Sequence, residues 1–190
     1  MQGAAFADMK QKTTLRQRLL LIFGIAAICA GLGILGFFGG RKVFRMIKKQ
    51  KLLSENVVLE IPALKIKAPV LEGTDNEILA KAVGHFPGTG APGSGNYCLA
   101  GHSSTLYKEY FNRLKEAEQG TEIMLYDLER NCYTYQVTES FIVEPNEIGI
   151  LLPSEDDRIT LVTCTDDGTQ RLCVIGQRCD AQDQTDSSAS

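Results

Sequence analysis

Histidine is scarce in this sequence: the 190 residues include two, His85 and His102. Chemistry that needs an imidazole is therefore confined to two places. Metal-binding cysteine pairs are missing too. None of the six cysteines is in a Cys-x-x-Cys arrangement, which removes the usual zinc half-site, and Cys173 and Cys179 are too isolated to form one. No internal repeat is present. Charge and proline are both absent from Leu19 to Phe38, "LLLIFGIAAICAGLGILGFF". As a helix, twenty such residues span about 30 Å, the hydrocarbon thickness of a bilayer. The apolar core of a signal peptide is shorter, about 7–15 residues, and runs into small residues at a cleavage site. Here the run closes on Phe37 and Phe38 before Gly39 and Gly40, so it is expected to be an uncleaved transmembrane anchor.

Positive charge is in short supply beyond that anchor. Residues 1–56 carry ten Lys/Arg and two acids, whereas 57–190 carry ten Lys/Arg and twenty-one acids. An acidic domain of this kind argues against nucleic acid as a partner. The basic cluster Arg41, Lys42, Arg45, Lys48, Lys49 and Lys51 directly follows the anchor and suits an anionic lipid surface. Four basic residues (Lys10, Lys12, Arg16, Arg18) precede the anchor and six follow it, so positive-inside counting by itself favours a cytoplasmic C-terminus.

The chain divides by composition. Residues 1–18 read as a short polar tail, 19–38 as the anchor, 39–56 as a basic juxtamembrane stalk with helical spacing, and 57–179 as a folded domain. Residues 180–190, "DAQDQTDSSAS", read as a disordered tail. From Val57 the pattern becomes short β-like runs: "VVLEIPAL", "KIKAPVLE", "NYCLAGH", "EIMLYDL", "CYTYQVTESFIVE", "ITLVTCT" and "RLCVIGQR". Helical patches are expected at Asn76–Ala82 and Tyr107–Glu116. Seven or eight short strands in such a domain suggest a mainly β closed barrel or sandwich.

Three residues could carry chemistry together. His102 follows "NYCLAG" at the end of a strand, and strand ends are where a rigid scaffold displays reactive groups. Cys164 ends the run "ITLVTC" beside a turn. A cysteine nucleophile needs a base or imidazolium to deliver its thiolate and a donor for the oxyanion; His102 and Arg171 can fill these roles. His85, in the loop "GHFPGTGAPGSGN", reads as structural support for that loop. The bland alternatives are a buried inert thiol at Cys164 and a hydrogen-bonded loop histidine at position 102.

"LAGH" at 99–102, "TLVTC" at 160–164 and the following Arg171 together resemble the three signature elements of the sortase family. The similarity extends over the strand-rich run from about Val57 to Arg178. It implies an eight-stranded β-barrel and a membrane-anchored cysteine transpeptidase, single-pass in the cell membrane of a Gram-positive cell, with an extracellular catalytic domain. The resemblance thus outweighs the charge count for orientation. It further implies Cys164, His102 and Arg171 as catalytic residues, with Thr163 contacting substrate. The implied substrates are surface proteins or pilins bearing a C-terminal Leu-Pro-x-Thr-Gly-like sorting signal, cleaved through a thioester on Cys164. The implied acceptor is an amine of a peptidoglycan precursor or a pilin lysine. The lid motif and second membrane helix of class C members have no counterpart here, and the Cys-to-Arg spacing is shorter than in the housekeeping type. No metal or other cofactor is expected. Calcium, used by some class A members, needs a cluster of acids, for which Glu144, Glu147, Glu155 and Asp156 are available. The competing functions are a secreted cysteine peptidase and a non-enzymatic, membrane-tethered β-barrel binding module.

The spacing between Cys164 and Arg171 makes a geometric claim. Asp167-Gly168 is a favoured two-residue hairpin turn. With that turn, Thr165 opposes Gln170, Cys164 opposes Arg171 and Val162 opposes Cys173. Directly opposed residues share a face, so the guanidinium belongs beside the thiol. Cys173 becomes a diagonal neighbour, too distant for an unstrained disulfide.

Overall fold

The computed structural model describes residues 15–103 and 110–179. The expected tail at 180–190, most of the one at 1–18, and the start of the second helical patch lie outside the described residues. The chain falls into two compact units, residues 1–49 and 50–190.

Helix α1, Leu15–Glu55, runs through the expected anchor and stalk without a break. It begins inside the stretch read as a polar tail. From Leu19 it is long and apolar enough to cross a membrane, with a mean hydropathy of 2.6 over its most apolar window. Its end is held within the second unit. Arg130, in the left-handed region at φ 69°, donates from its guanidinium to the Leu53 carbonyl at 3.0 Å and to that of Ser54. These are among the last carbonyls of the helix, which have no partner within it.

Eight strands follow: β1 (Val57–Ile61), β2 (Ile66–Glu72), β3 (Val83–His85), β4 (Asn96–Ala100), β5 (Glu122–Tyr126), β6 (Cys132–Val143), β7 (Arg158–Cys164) and β8 (Arg171–Arg178). They close into a barrel in the order β1-β2-β3-β4-β7-β8-β6-β5. Seven are the β-like runs of the sequence. The eighth, β3, has three residues, pairs parallel to β2 and antiparallel to β4, and lies partly in the stretch read as a Gly/Pro loop. "VVLEIPAL" is not strand throughout. Pro62 lacks an amide donor, and a 3-10 turn at Pro62–Leu64 ends β1.

Alternation drives the barrel closed. Leu59, Ile61, Leu99, Ile123, Leu125 and Leu161 are fully buried and belong to one core cluster. The twelve-residue β6 serves both β5 and β8, with a register shift between Val137 and Glu139 that lets it bend. The first helical patch is α2, Asn76–Leu79, where the Asp75 carboxylate accepts from the amides of Glu77 and Ile78, both at 3.0 Å. The described part of the second patch is a turn and a 3-10 segment, Leu114–Glu116, rather than an α-helix.

One buried polar node shapes the surface that matters below. Asn96 is 1% exposed. Its Nδ2 donates to the carbonyls of Ile150 and Leu152 at 3.0 and 2.9 Å, and its Oδ1 accepts from Thr160 Oγ1 at 2.7 Å. The β6–β7 connection is thereby fixed to the barrel wall.

Candidate active site

Parallel pairing of β4 and β7 sets the first relationship. Ala100 is the partner of Val162. Two residues further along each strand direction come His102 and Cys164, so the same register carries both to one end of the barrel. Three hydrogen bonds continue the junction past the ladder. Gly101 N donates to Val162 O at 3.1 Å, Thr163 Oγ1 donates to Gly101 O at 2.8 Å, and Ser103 Oγ donates to Cys164 O at 2.7 Å. Position 101 must be glycine for a packing reason: a Cβ there would lie 2.6 Å from the Phe111 ring. Phe111 N in turn donates to His102 O at 3.1 Å.

Antiparallel pairing of β7 and β8 sets the second. Cys164 is directly opposite Arg171, and Val162 opposite Cys173, as the spacing predicts. The turn between them is of another kind. A two-residue primed turn of the Asn-Gly type needs positive φ at both central residues, whereas of this pair only Gly168 has one, at +73°. Gly168 N instead donates to Thr165 O at 2.8 Å, and Thr165 N to Gln170 O at 3.1 Å, making a four-residue loop that preserves the register. The Asp167 carboxylate explains the preference. It accepts from Thr165 Oγ1 at 2.5 Å, from Thr169 N at 3.1 Å and from Thr169 Oγ1 at 2.7 Å. The two threonine hydroxyls, and then the Thr169 amide, pull its pKa down to about 2. This depressed value ties loop stability to ionised Asp167: the contribution is complete above the ordinary carboxylate range and is lost as pH falls toward 2.

Arg171 Nη1 donates to Gln170 O at 3.0 Å and to Gly168 O at 3.4 Å, so one corner of its guanidinium rests on the loop beside its own strand. Cys164 and His102 are both half-buried. All three residues line one cleft of about 510 Å³. Its far wall is the β6–β7 connection, with apolar Val143, Pro145, Ile148 and Leu151 facing the cleft alongside Glu144 and Glu147. Thr163 also lines it, but it is 4% exposed and its hydroxyl is spent on Gly101, so it braces the His102 loop.

The other candidates separate cleanly. His85 Nδ1 lies 2.6 Å from Glu72 Oε2, and its Nε2 lies 3.0 Å from Thr89 Oγ1. Its ring stacks on Tyr97 with centroids 4.5 Å apart, and it does not line the cleft. All six cysteines are free of disulfides. Burial pushes the thiols of Cys98 and Cys173 up to about 11. The acids considered for calcium do not converge. Glu144 Oε1 accepts from Gln170 Nε2 and Glu147 Oε1 from Gly149 N, both at 2.8 Å. Among the described residues no three metal-ligating side chains cluster.

Thiol labelling checks this assignment. At pH 8, iodoacetamide should modify Cys164 in the folded protein while Cys98 and Cys173 stay unmodified until it unfolds, because thiolate and access are both required. Protection of Cys164 equal to that of Cys98 would show that the thiol is closed off.

No local pattern pointed to Phe111, which seats the histidine loop, or to the Asn96 node that fixes the opposite wall. Ser103 was visible as the hydroxyl after His102, but its carbonyl partner lies sixty-one residues away.

Comparison with known proteins agrees with this geometry. Residues 59–179 match the family model described as the Sortase domain. The chain is 31% identical over 121 residues to sortase A of Listeria monocytogenes, covering 63% of this chain and 54% of that one. It is 31% identical over 128 residues to sortase D of Bacillus subtilis, covering 64% and 62%. It thus spans less than two thirds of the length of these curated relatives. Among solved structures it resembles a Clostridium perfringens sortase D5 transpeptidase at TM-score 0.60 and 27% identity, covering 71% of this chain and 89% of that one.

Proposed function

This chain belongs to the sortase family, and from that premise we propose that it is a membrane-anchored cysteine transpeptidase with Cys164, His102 and Arg171 as its catalytic residues. The observation that carries the reading is the meeting of these three side chains in one cleft, with Cys164 and Arg171 paired across β7 and β8. In this reading residues 19–38 of α1 are the anchor, residues 1–18 lie in the cytoplasm, residues 39–56 form the stalk, and the barrel of 57–179 works outside the cell.

The reaction is acyl transfer in two halves. Cys164 thiolate attacks the Thr–Gly carbonyl of a Leu-Pro-x-Thr-Gly-like sorting signal lying in the cleft. The apolar wall from Val143 to Leu151 suits the Leu-Pro portion. Negative charge then develops on the carbonyl oxygen, and the Arg171 guanidinium donates to it; its bonds to the loop carbonyls both use Nη1, on a group with five N–H donors. The C–N bond breaks as His102, as imidazolium, gives its proton to the departing glycine amine, leaving a thioester on Cys164. An amine then attacks that thioester, His102 as imidazole takes its proton, and the thiolate is released. The amine is supplied by a cell-wall precursor or by a pilin lysine, and the acyl donors are surface proteins or pilins.

Product analysis tests this directly. A sorting-signal peptide should yield the N-terminal fragment as a free acid without added amine and mainly as an amide with one. Cleavage giving the free acid alone, whatever amine is added, would make the protein a peptidase. Absence of any cleavage across several sorting motifs would leave a binding module.

A further inference from the structure

His85 does not line the cleft, but the residue after it does: Phe86 belongs to the lining, together with Leu79, Ala100 and Ile150. Strand alternation separates the two neighbours. His85 is the partner of Leu99, and Gly84 that of Ala100. His85 therefore faces inward with the core residues Leu99 and Tyr97, while Phe86 falls on the opposite, cleft-facing side with Ala100. Phe86 N donates to Cys98 O at 3.0 Å, and Cys98 pairs with Thr160, which precedes Cys164 on β7 by two alternations. At about 3.3 Å per residue that is roughly 13 Å along the strand from the thiol, the length of a short extended peptide. Phe86 thus stands where the first residue of a Leu-Pro-x-Thr segment arrives when its threonine carbonyl is at Cys164.

The backbone around Phe86 is held through the His85 ring. Thr89 Oγ1 donates its one proton to Phe86 O at 2.8 Å and accepts from Cys98 N at 3.3 Å. With that proton spent, the 3.0 Å contact between Thr89 Oγ1 and His85 Nε2 takes its hydrogen from the ring. Gly90 O, an acceptor only, lies 3.2 Å from the same nitrogen. On the other side of the ring, Nδ1 meets Glu72 Oε2 at 2.6 Å, and Glu72 is the β2 partner of His85. The His85 side chain is 12% exposed, so water competes little for these bonds. In a turn containing Gly88 and Gly90, residues of large conformational freedom, they restrict where Phe86 can be.

We propose that His85 is a positioning residue for the acyl donor: by tying Thr89 and Gly90 to Glu72, it sets Phe86 as the surface that receives the leading end of the sorting signal. This rests on the transpeptidase reading above. His85 touches neither the thiol nor the cleft, so it acts only through Phe86. Its loss should weaken binding of the donor in ground state and transition state alike, which raises KM and spares the chemical step.

The test is a double-mutant cycle on the full chain: wild type, His85→Ala, Phe86→Ala and the double variant, in steady-state kinetics with a sorting peptide and saturating glycinamide. Circular dichroism confirms the fold of each. His85→Ala should raise the KM for the peptide by about fivefold or more, the effect of losing a modest binding contribution, with kcat within about twofold. Phe86→Ala should do the same, and adding His85→Ala to it should raise KM no further, because the two act through one contact. A purely structural role would lower the unfolding temperature and leave KM where it was. Should His85→Ala fail to fold, Glu72→Ala takes its place in the cycle, since that side chain is 66% exposed. An unchanged KM in the folded variants would overturn the proposal, as would a fall in kcat alone. Additive effects of the two substitutions would also overturn it, by showing that His85 does not act through Phe86. Wild type that forms no product would overturn the transpeptidase reading itself, whereas product formation with an unchanged KM would overturn the role of His85 only.

Discussion

Replacing Cys164 with alanine will reduce transfer of a sorting peptide to an amine to background while leaving the barrel folded. Among the described residues no other cysteine lines the cleft: Cys98 and Cys173 are buried with raised thiol pKa values, Cys132 lies at the start of β6, Cys179 follows the end of β8, and Cys29 is in α1. Removing a half-buried sulfur at the last residue of β7 costs about 1 kcal/mol or less, at the low end of single-methylene deletions. The fold should not notice. Thermal unfolding and a transfer assay on the same preparation check the two halves of the claim. Cys173→Ala is the useful control: it removes a fully buried sulfur from the same strand pair, so it should cost more stability and keep activity.

Arg171→Ala will lower kcat by about 10²–10³, the range observed when an oxyanion donor is deleted. Arg171→Lys should recover part of that loss, because lysine keeps the charge but not the planar fork of donors. The register makes the effect specific. Cys164 and Arg171 are direct partners on adjacent strands, and opposed residues put their Cβ atoms about 4.5–5.5 Å apart on one face. Arg171→Ala also removes the Nη1 bonds to the Gln170 and Gly168 carbonyls, but the loop keeps its own staple, Asp167 between Thr165 and Thr169. Steady-state kinetics of both variants, with circular dichroism to confirm the fold, would decide it. An alanine variant of unchanged rate would remove Arg171 from the mechanism.

Local pattern made much of this molecule legible. Seven of the eight strands announced themselves through alternation and turn residues, and the cysteine–arginine pairing followed from counting across a short hairpin. The failures share a cause. Strand β3 is three residues of "VGH" between a helix and a glycine-rich loop, too short for any period to show, and only its neighbours β2 and β4 make it a strand. The turn at Asp167-Gly168 was misassigned because the dipeptide preference ignores the side chains around it; two threonines captured the aspartate and pulled the loop into a wider form. The register survived because both turns keep Thr165 opposite Gln170. Long-range seating was illegible for the same reason. Phe111 under Gly101, and Asn96 reaching the carbonyls of Ile150 and Leu152, depend on closure of the barrel rather than on any adjacent residues.

The central claim is that the acyl group of a sorting signal passes through a covalent bond to Cys164. Intact-protein mass spectrometry, after mixing the protein with a sorting peptide in the absence of amine and quenching in acid, tests it most directly. The account predicts a mass increase equal to the peptide's acid fragment through threonine less one water, mapping to Cys164 after digestion, and lost on addition of glycinamide with release of the amide product. Turnover without such an adduct, or an adduct mapping to another cysteine, would contradict it.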